Sequence, residues 1–296
     1  MRRLGPGSRV AVVAPGGAVD EARLEAGLGL LRAWGLEPVP GPHLRARHRW
    51  LAGPAEAREA DLAWALSTPE VEAVWFARGG SGTGDLLAGI PWSRLDARPV
   101  IGFSDATALF TALAGRGRRA VHGPVVQSLA TADPETREAL RALLFEGTAP
   151  ALPGRLLVGP ARTVSGPLLG GNLTVLASLA GTPWALRAAG ALLLLEDVDE
   201  APYRLERALG QLLAAGGLQG VRGVGIGQLL RCGDDPAALE GMLRERLGPL
   251  GVPVLADLPV GHGERNLPFV HGVAATLGPA GVTPAVGATL RPISGA

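Results

Sequence analysis

Three residues, far apart in the chain and each closing an apolar run, could together perform nucleophilic chemistry: Ser104, Glu196 and His262. Ser104 follows Val100-Ile101-Gly102-Phe103, and a helix-compatible segment, Thr107 to Leu113, follows it. A strand, a sharp turn and a helix are expected there. A hydroxyl at such a turn points out of the sheet, and the start of the helix supplies free backbone N–H groups. A serine in this position is, taken by itself, more often a plain helix N-cap. His262 stands between Gly261 and Gly263, just past the apolar stretch Val252 to Pro259. Flanking glycines leave an imidazole accessible, and histidine is the usual general base near neutral pH. Glu196 ends the run Ala191 to Leu195, where a carboxylate is costly without a partner. It could accept a hydrogen bond from His262 and fix its tautomer. Alternatively it opens a solvated acidic loop with Asp197, Asp199 and Glu200.

A fourth stretch, Gly80-Ser81-Gly82-Thr83-Gly84, invites a phosphate-binding reading and fails it. Gly-x-Gly-x-x-Gly from Gly80 would need glycine at 85, which is Asp85, and the phosphate-loop pattern needs a lysine. Two readings remain: a flexible turn, or a loop whose amides meet a developing oxyanion.

Composition narrows the field. All 28 basic residues are arginine, an imbalance of the kind that GC-rich codons produce. Without lysine there is no Schiff-base chemistry. The net charge of +1 gives no basic surplus for a nucleic-acid backbone, and aromatic residues are scarce at 4%. Cys232 is alone, so no intrachain disulfide is expected. The histidines at 43, 48, 122, 262 and 271 have no H-E-x-x-H spacing, so neither a metal nor another cofactor is expected. The N-terminal run Val10 to Ala14 is short and breaks at Pro15-Gly16-Gly17, unlike a signal peptide. No run approaches the roughly 18 apolar residues of a membrane span. A cytoplasmic protein without membrane or nucleic-acid partners is expected.

The elements that must position these residues read as follows. Over 1–150, strands alternate with helices, predicting a parallel, doubly wound sheet with sites at strand carboxyl ends. Helices are expected over Glu21–Trp34, Pro54–Ser67 and Pro134–Phe145, and strands over Arg9–Ala14, Val71–Ala77 and around Val121. Residues 146–165 are rich in glycine, proline and alanine and read as a connector, with 151–165 the linker proper. Residues 166–296 read as a second domain of mixed type, with strands at Ala191–Leu195, Val221–Leu230 and Val252–Pro259 and helices at Tyr203–Ala214 and Pro236–Leu247. Ser104 would come from the first domain, Glu196 and His262 from the second.

Several segments in series resemble the serine LD-carboxypeptidase family, which includes muramoyltetrapeptide carboxypeptidases and microcin C immunity hydrolases. They are Leu51-Ala52-Gly53 with Arg58 and Asp61-Leu62, Arg78-Gly79-Gly80, Gly102-Phe103-Ser104-Asp105-Ala106, and His122-Gly123-Pro124. Leu169-Gly170-Gly171-Asn172, Leu195-Glu196-Asp197-Val198, Pro202-Tyr203-Arg204 with Arg207, and Gly261-His262-Gly263 complete the series. The resemblance implies a Ser–Glu–His triad on Ser104, Glu196 and His262, with an oxyanion hole from the amides of Gly80 and Asp105. It implies a flavodoxin-like or amidotransferase-like N-terminal α/β domain, a smaller β-rich C-terminal domain, and a site in the cleft between them. A homodimer without a metal is the family expectation. The implied reaction is hydrolysis of the amide joining an L-centre, a diamino acid, to the terminal D-amino acid of a murein tetrapeptide, through an acyl-enzyme. Such a substrate carries a terminal carboxylate. Arg78 is the candidate to bind it, the alternative being a structural ion pair. Ser81 stands where the family often has tyrosine, and Glu206 where it often has aspartate. Two other readings share this frame: a microcin-type hydrolase of aminoacyl-nucleotide analogues, and a ligand-binding protein without catalysis.

Overall fold

The computed structural model describes residues 1–285. The first half runs β1 (Arg9–Val13), α1 (Glu21–Ala33), β2 (Glu37–Pro40), α2 (Ala55–Ser67), β3 (Ala73–Phe76), β4 (Val100–Gly102), α3 (Thr107–Ala114), β5 (Val121–His122), α4 (Val126–Leu129) and α5 (Pro134–Glu146). Strands β2, β1, β3, β4 and β5 form a parallel sheet in that order. Its central strands are apolar on both faces. Val10, Val12 and Trp75 pack into the core under α1, while Ala11, Val13 and Phe76 pack into the core under α2 and α3. Such strands read as continuous apolar runs because neither face meets water.

The second half runs β6 (Leu152–Pro153), β7 (Arg155–Val158), β8 (Val164–Asn172), α6 (Leu173–Ser178), β9 (Leu192–Val198), α7 (Pro202–Ala214), β10 (Gly223–Leu230), α8 (Pro236–Leu247), β11 (Val254–Ala256), β12 (Phe269–Val270), β13 (Ala274–Gly278) and β14 (Gly281–Pro284). A mixed eight-stranded sheet has the order β6-β14-β13-β8-β9-β10-β11-β7. The stretch 151–165, expected as a linker, thus contains β6 and β7, paired with β14 and β11. Its prolines and glycines suit edge strands, where a missing N–H costs no ladder bond. The long strand β9 alternates Leu193 and Leu195 toward one core with Leu192 and Leu194 toward another, and its last three residues are Glu196, Asp197 and Val198.

One strand crosses between the halves. β12 lies in the second half of the sequence but pairs antiparallel with β5 in the first sheet, Phe269 opposite His122. The sequence segment just after His262 is therefore anchored beside the strand that neighbours β4. Among the described residues, no helix is long and apolar enough to cross a membrane.

That junction holds two buried histidines. His122 stacks on Phe269 at 4.6 Å between ring centroids, and Phe269 lies 5.1 Å from His271. No ring nitrogen of either histidine has a hydrogen-bond partner. Burial pushes His271 down to about 3, and burial, then the neighbouring histidines, pushes His122 well below its usual value. The unfolded chain takes up these protons near about pH 6.5. Stability present above that pH is lost as pH falls through it, by about 1.4 kcal/mol per pH unit for each histidine. Equilibrium urea unfolding between pH 7 and 5 should show this slope in wild type and a shallower one in the His122→Phe/His271→Phe variant. Equal slopes would contradict the assignment.

Candidate active site

Ser104 occupies the turn between β4 and α3, in a short 3-10 segment, Ser104–Ala106. Its φ is +61°, a left-handed conformation that costs an ordinary residue free energy. The preceding Phe103 is extended, so the chain reverses sharply at the serine. The expected sharp turn follows from this geometry, and Ser104 itself is half-buried.

Three contacts hold the turn. Gly79 backs directly onto it: a Cβ at Gly79 would lie 2.8 Å from Ser104 Cβ and 2.9 Å from Ser104 Oγ. The Asp105 carboxylate turns inward, accepting from Thr83 N at 3.0 Å and Thr83 Oγ1 at 2.7 Å. Burial raises the pKa of this carboxyl, while the bonds from Thr83 oppose the shift. Thr107 Oγ1 accepts from Asn172 N at 3.0 Å, tying the start of α3 to the end of β8. The glycine-rich loop after β3 is itself braced by the buried guanidinium of Arg58, which donates to the carbonyls of Pro15, Gly53 and Gly82. Arg58 does from inside the fold what a short loop of glycines cannot do alone.

The second half contributes an imidazole and the carboxylate it pairs with. His262 Nδ1 lies 2.6 Å from Glu196 Oε2. Glu196 is 1% exposed and sits at the carboxyl end of β9. Burial raises its pKa, and the hydrogen bond and charge of His262 oppose that shift. With Nδ1–H donating to the carboxylate, Nε2 of His262 is left to accept a proton. The loop carrying His262 is fixed by Gln228 Oε1, which accepts from Gly263 N at 2.6 Å, and by Asn266 Oδ1, which accepts from Gly261 N. The Phe103 ring packs 4.7 Å from the His262 ring.

Ser104 opens on two cavities. One is lined by Ser104, His262, Arg78, Gly79, Gly80, Phe103 and Gln127, together with Asp20 and Arg23. The other is lined by Ser104, Gly80, Asp85, Asn172, Asp197 and Glu200. The first holds two arginines, Arg23 and Arg78, against one carboxylate, Asp20, whereas the second holds carboxylates and no arginine. Arg78 lines the first and donates from Nη1 to the Ala18 carbonyl; among the described residues it has no ion pair. Among the described residues the amides of Gly80 and Asp105 donate to no other protein atom. Gly80 has φ +109°, and a Cβ there would come within 2.8 Å of Gly17 N. Among the described residues no cluster of histidine, cysteine, aspartate or glutamate is arranged to hold a metal.

Sequence reasoning overlooked several residues. Asp197 is no solvated loop residue: it is buried and accepts from Asn172 Nδ2, Thr174 N and Thr174 Oγ1. Asn172 also caps α6 by accepting from Val175 N. A carboxylate next to a buried glutamate, at the end of an apolar strand, was the available signal. Nothing local marked Gly79 as the residue facing Ser104.

A strained serine, free amides beside it and a buried carboxylate–imidazole pair form a constellation suited to acyl transfer. The LD-carboxypeptidase N-terminal domain model matches residues 10–123, and the LD-carboxypeptidase C-terminal domain model matches 165–277. The chain belongs to the LD-carboxypeptidase family and is a hydrolase of the carboxypeptidase type. It is 41% identical over 284 residues to the murein tetrapeptide carboxypeptidase of Pseudomonas aeruginosa, covering 91% of this chain and 92% of that one. It is 44% identical over 293 residues to a putative carboxypeptidase of Streptomyces coelicolor, covering 93% and 92%. Among solved structures, the muramoyltetrapeptide carboxypeptidase of Oxalobacter formigenes superposes with a TM-score of 0.80 at 30% identity, covering 96% of this chain and all of that one. An MccF-like protein of Bacillus anthracis shares the fold, with a TM-score of 0.86 at 18% identity over 96% of this chain and 98% of that one.

Two substitutions test the geometry by steady-state hydrolysis. Glu196→Gln keeps the shape but changes the tautomer His262 can hold, so kcat should fall by about 10⁴-fold with KM little changed. Gly79→Ala pushes against Ser104 and should lower kcat by about 100-fold, the effect of a displacement near 1 Å. Near-wild-type kcat in either variant would contradict the arrangement.

Proposed function

We propose that the protein is a serine LD-carboxypeptidase that removes the terminal D-amino acid from murein tetrapeptides through an acyl-enzyme. The observation carrying this reading is that Ser104, on its left-handed turn, shares a cavity with His262, whose other nitrogen is held by buried Glu196. Ser104 Oγ attacks the amide carbonyl while His262 Nε2 takes its proton. Glu196 keeps the imidazole oriented and stabilises the cation. The amides of Gly80 and Asp105 receive the oxyanion, each worth about 3 kcal/mol in comparable sites. The C–N bond then breaks, and His262 returns the proton to the leaving amine. Water, deprotonated by His262, cleaves the ester and restores Ser104.

The polarity of the two cavities supports an orientation. His262 must reach the leaving nitrogen, so the D-amino acid lies in the cavity that His262 shares with Arg78. Arg78 then meets the terminal carboxylate with the donors that the Ala18 carbonyl leaves free. The acyl portion lies in the other cavity, where Asp85 and Glu200 suit the free amino group of a diamino acid. In this reading the first half supplies the nucleophile and oxyanion amides, the second half, into whose sheet 151–165 is built through β6 and β7, supplies Glu196 and His262, and the substrate binds in the cleft between. Family resemblance further supports a cytoplasmic homodimer, which light scattering of the purified protein would test.

Mass spectrometric analysis of a murein tetrapeptide digest is the direct test. Wild type should release one D-alanine and leave the tripeptide, and Ser104→Ala should leave the tetrapeptide intact. An aminoacyl sulfamoyl adenosine offered in parallel should be cleaved far more slowly. Equal rates for wild type and Ser104→Ala would overturn the mechanism. Preference for the nucleotide analogue would overturn the substrate.

A further inference from the structure

A third cavity, of about 250 Å³, lies between the C-terminal end of α3 and the second half of the chain. Thr111, Ala112 and Arg116 line one side; Leu169, Gly170 and the segment Pro183–Arg187 line the other, with His271 between them. It shares no lining residue with the two cavities that open on Ser104.

Its charge is one-sided. Arg116 and Arg187 line it, and no aspartate or glutamate does. Among the described residues neither arginine forms an ion pair. Arg116 is nevertheless fixed. Its guanidinium lies 4.0 Å from the Trp92 ring and 4.7 Å from the Trp184 ring, and Nη1 donates to the Ala112 carbonyl at 3.0 Å. The two indoles are held against each other at 5.4 Å, and Trp92 Nε1 donates to the Leu87 carbonyl. Two aromatic faces orient the planar fork before any ligand arrives, which lowers the ordering cost of binding. Arg187 is exposed, with no hydrogen-bond partner among the described residues. His271 is 1% exposed, and both of its ring nitrogens lack partners. A buried imidazole left in this way costs free energy unless something else satisfies it. Leu169, Pro183 and Leu186 add an apolar wall.

We propose that this cavity is a second ligand site, taking a small molecule that bears a carboxylate or phosphate group, with Arg116 and Arg187 as its cationic clamp. Two guanidinium groups without acidic neighbours match an oxyanion by paired N–H donors. The volume suits a ligand of about a dozen heavy atoms or fewer, smaller than a tetrapeptide. Occupancy would bridge α3, which begins next to Ser104, to the loop after α6. The proposal does not depend on the catalytic reading, because the cavity shares no lining residue with those that open on Ser104.

Isothermal titration of the full chain carrying Ser104→Ala, at low ionic strength, tests it with two probes: inorganic phosphate and succinate. At least one should bind saturably at a single site, with half-saturation below about 10 mM. Arg187→Gln, added to this background, should weaken that binding about tenfold or more. Arg187 is exposed, so its replacement leaves the fold intact, and thermal melting of the variant checks this. Arg78→Gln in the same background should leave binding unchanged, separating this cavity from the one beside Ser104. Preference for phosphate over succinate, or the reverse, tells which oxyanion the site takes. Failure of both probes to saturate overturns the proposal. So does binding that survives Arg187→Gln, or binding that is lost with Arg78→Gln.

Discussion

A carboxylate buried at the end of an apolar strand is the constraint on which much of this structure turns. Glu196 is 1% exposed, and its Oε1 has no partner among the described residues. Isolated in that position, an ionised carboxylate would be driven to protonate. The hydrogen bond to His262 offsets that tendency, so Glu196 and His262 each need the other in place. The loop that delivers His262 is anchored at both ends. Gln228 and Asn266 hold it from within the second half, and Asn266 N donates in turn to Thr136 Oγ1 on α5 of the first half. Three residues further on β12 begins and pairs with β5 in the first sheet. The contacts that relieve a buried charge therefore also set where the imidazole stands relative to Ser104.

The Ser104 turn is held by the same logic of one residue bracing another. A left-handed serine costs about 1–3 kcal/mol and persists only where neighbours over-determine it. Gly79 behind the side chain, Thr83 on the Asp105 carboxylate and Asn172 on Thr107 are those neighbours. The last of them belongs to the second half of the chain. Asn172 is also hydrogen-bonded to Asp197, the residue after Glu196. One chain of contacts thus runs from the serine turn through Thr107, Asn172 and Asp197 to the strand that bears the carboxylate.

Much of this was legible in the sequence, and the remainder was hidden for physical reasons. Alternating apolar runs and helical spacings located α1, α2, α5, α7 and α8 to within a residue or two, because their patterns reflect local periodicity. The strand–serine–helix pattern and the glycine-flanked histidine were visible because the chemistry needs sharp turns and open space. Gly79 was not singled out, since a glycine's role here depends on a contact 25 positions away. The acidic run after Leu195 read equally well as a solvated loop; only the fold shows Asp197 buried among donors. Strands β6 and β7 were concealed in a proline- and glycine-rich stretch, because edge strands tolerate the residues that linkers also use. The pairing of β12 with β5 spans roughly 150 residues and has no local signature.

The central claim is that Ser104 and His262 act as one unit. Its most direct measurement is kcat for D-alanine release in Ser104→Ala, in His262→Ala and in the double variant. Residues of a single catalytic unit show strongly non-additive losses. The double variant should be no slower than Ser104→Ala alone, within about twofold. A double variant slower by the product of the two single losses would mean that the residues act independently, and the account would fail.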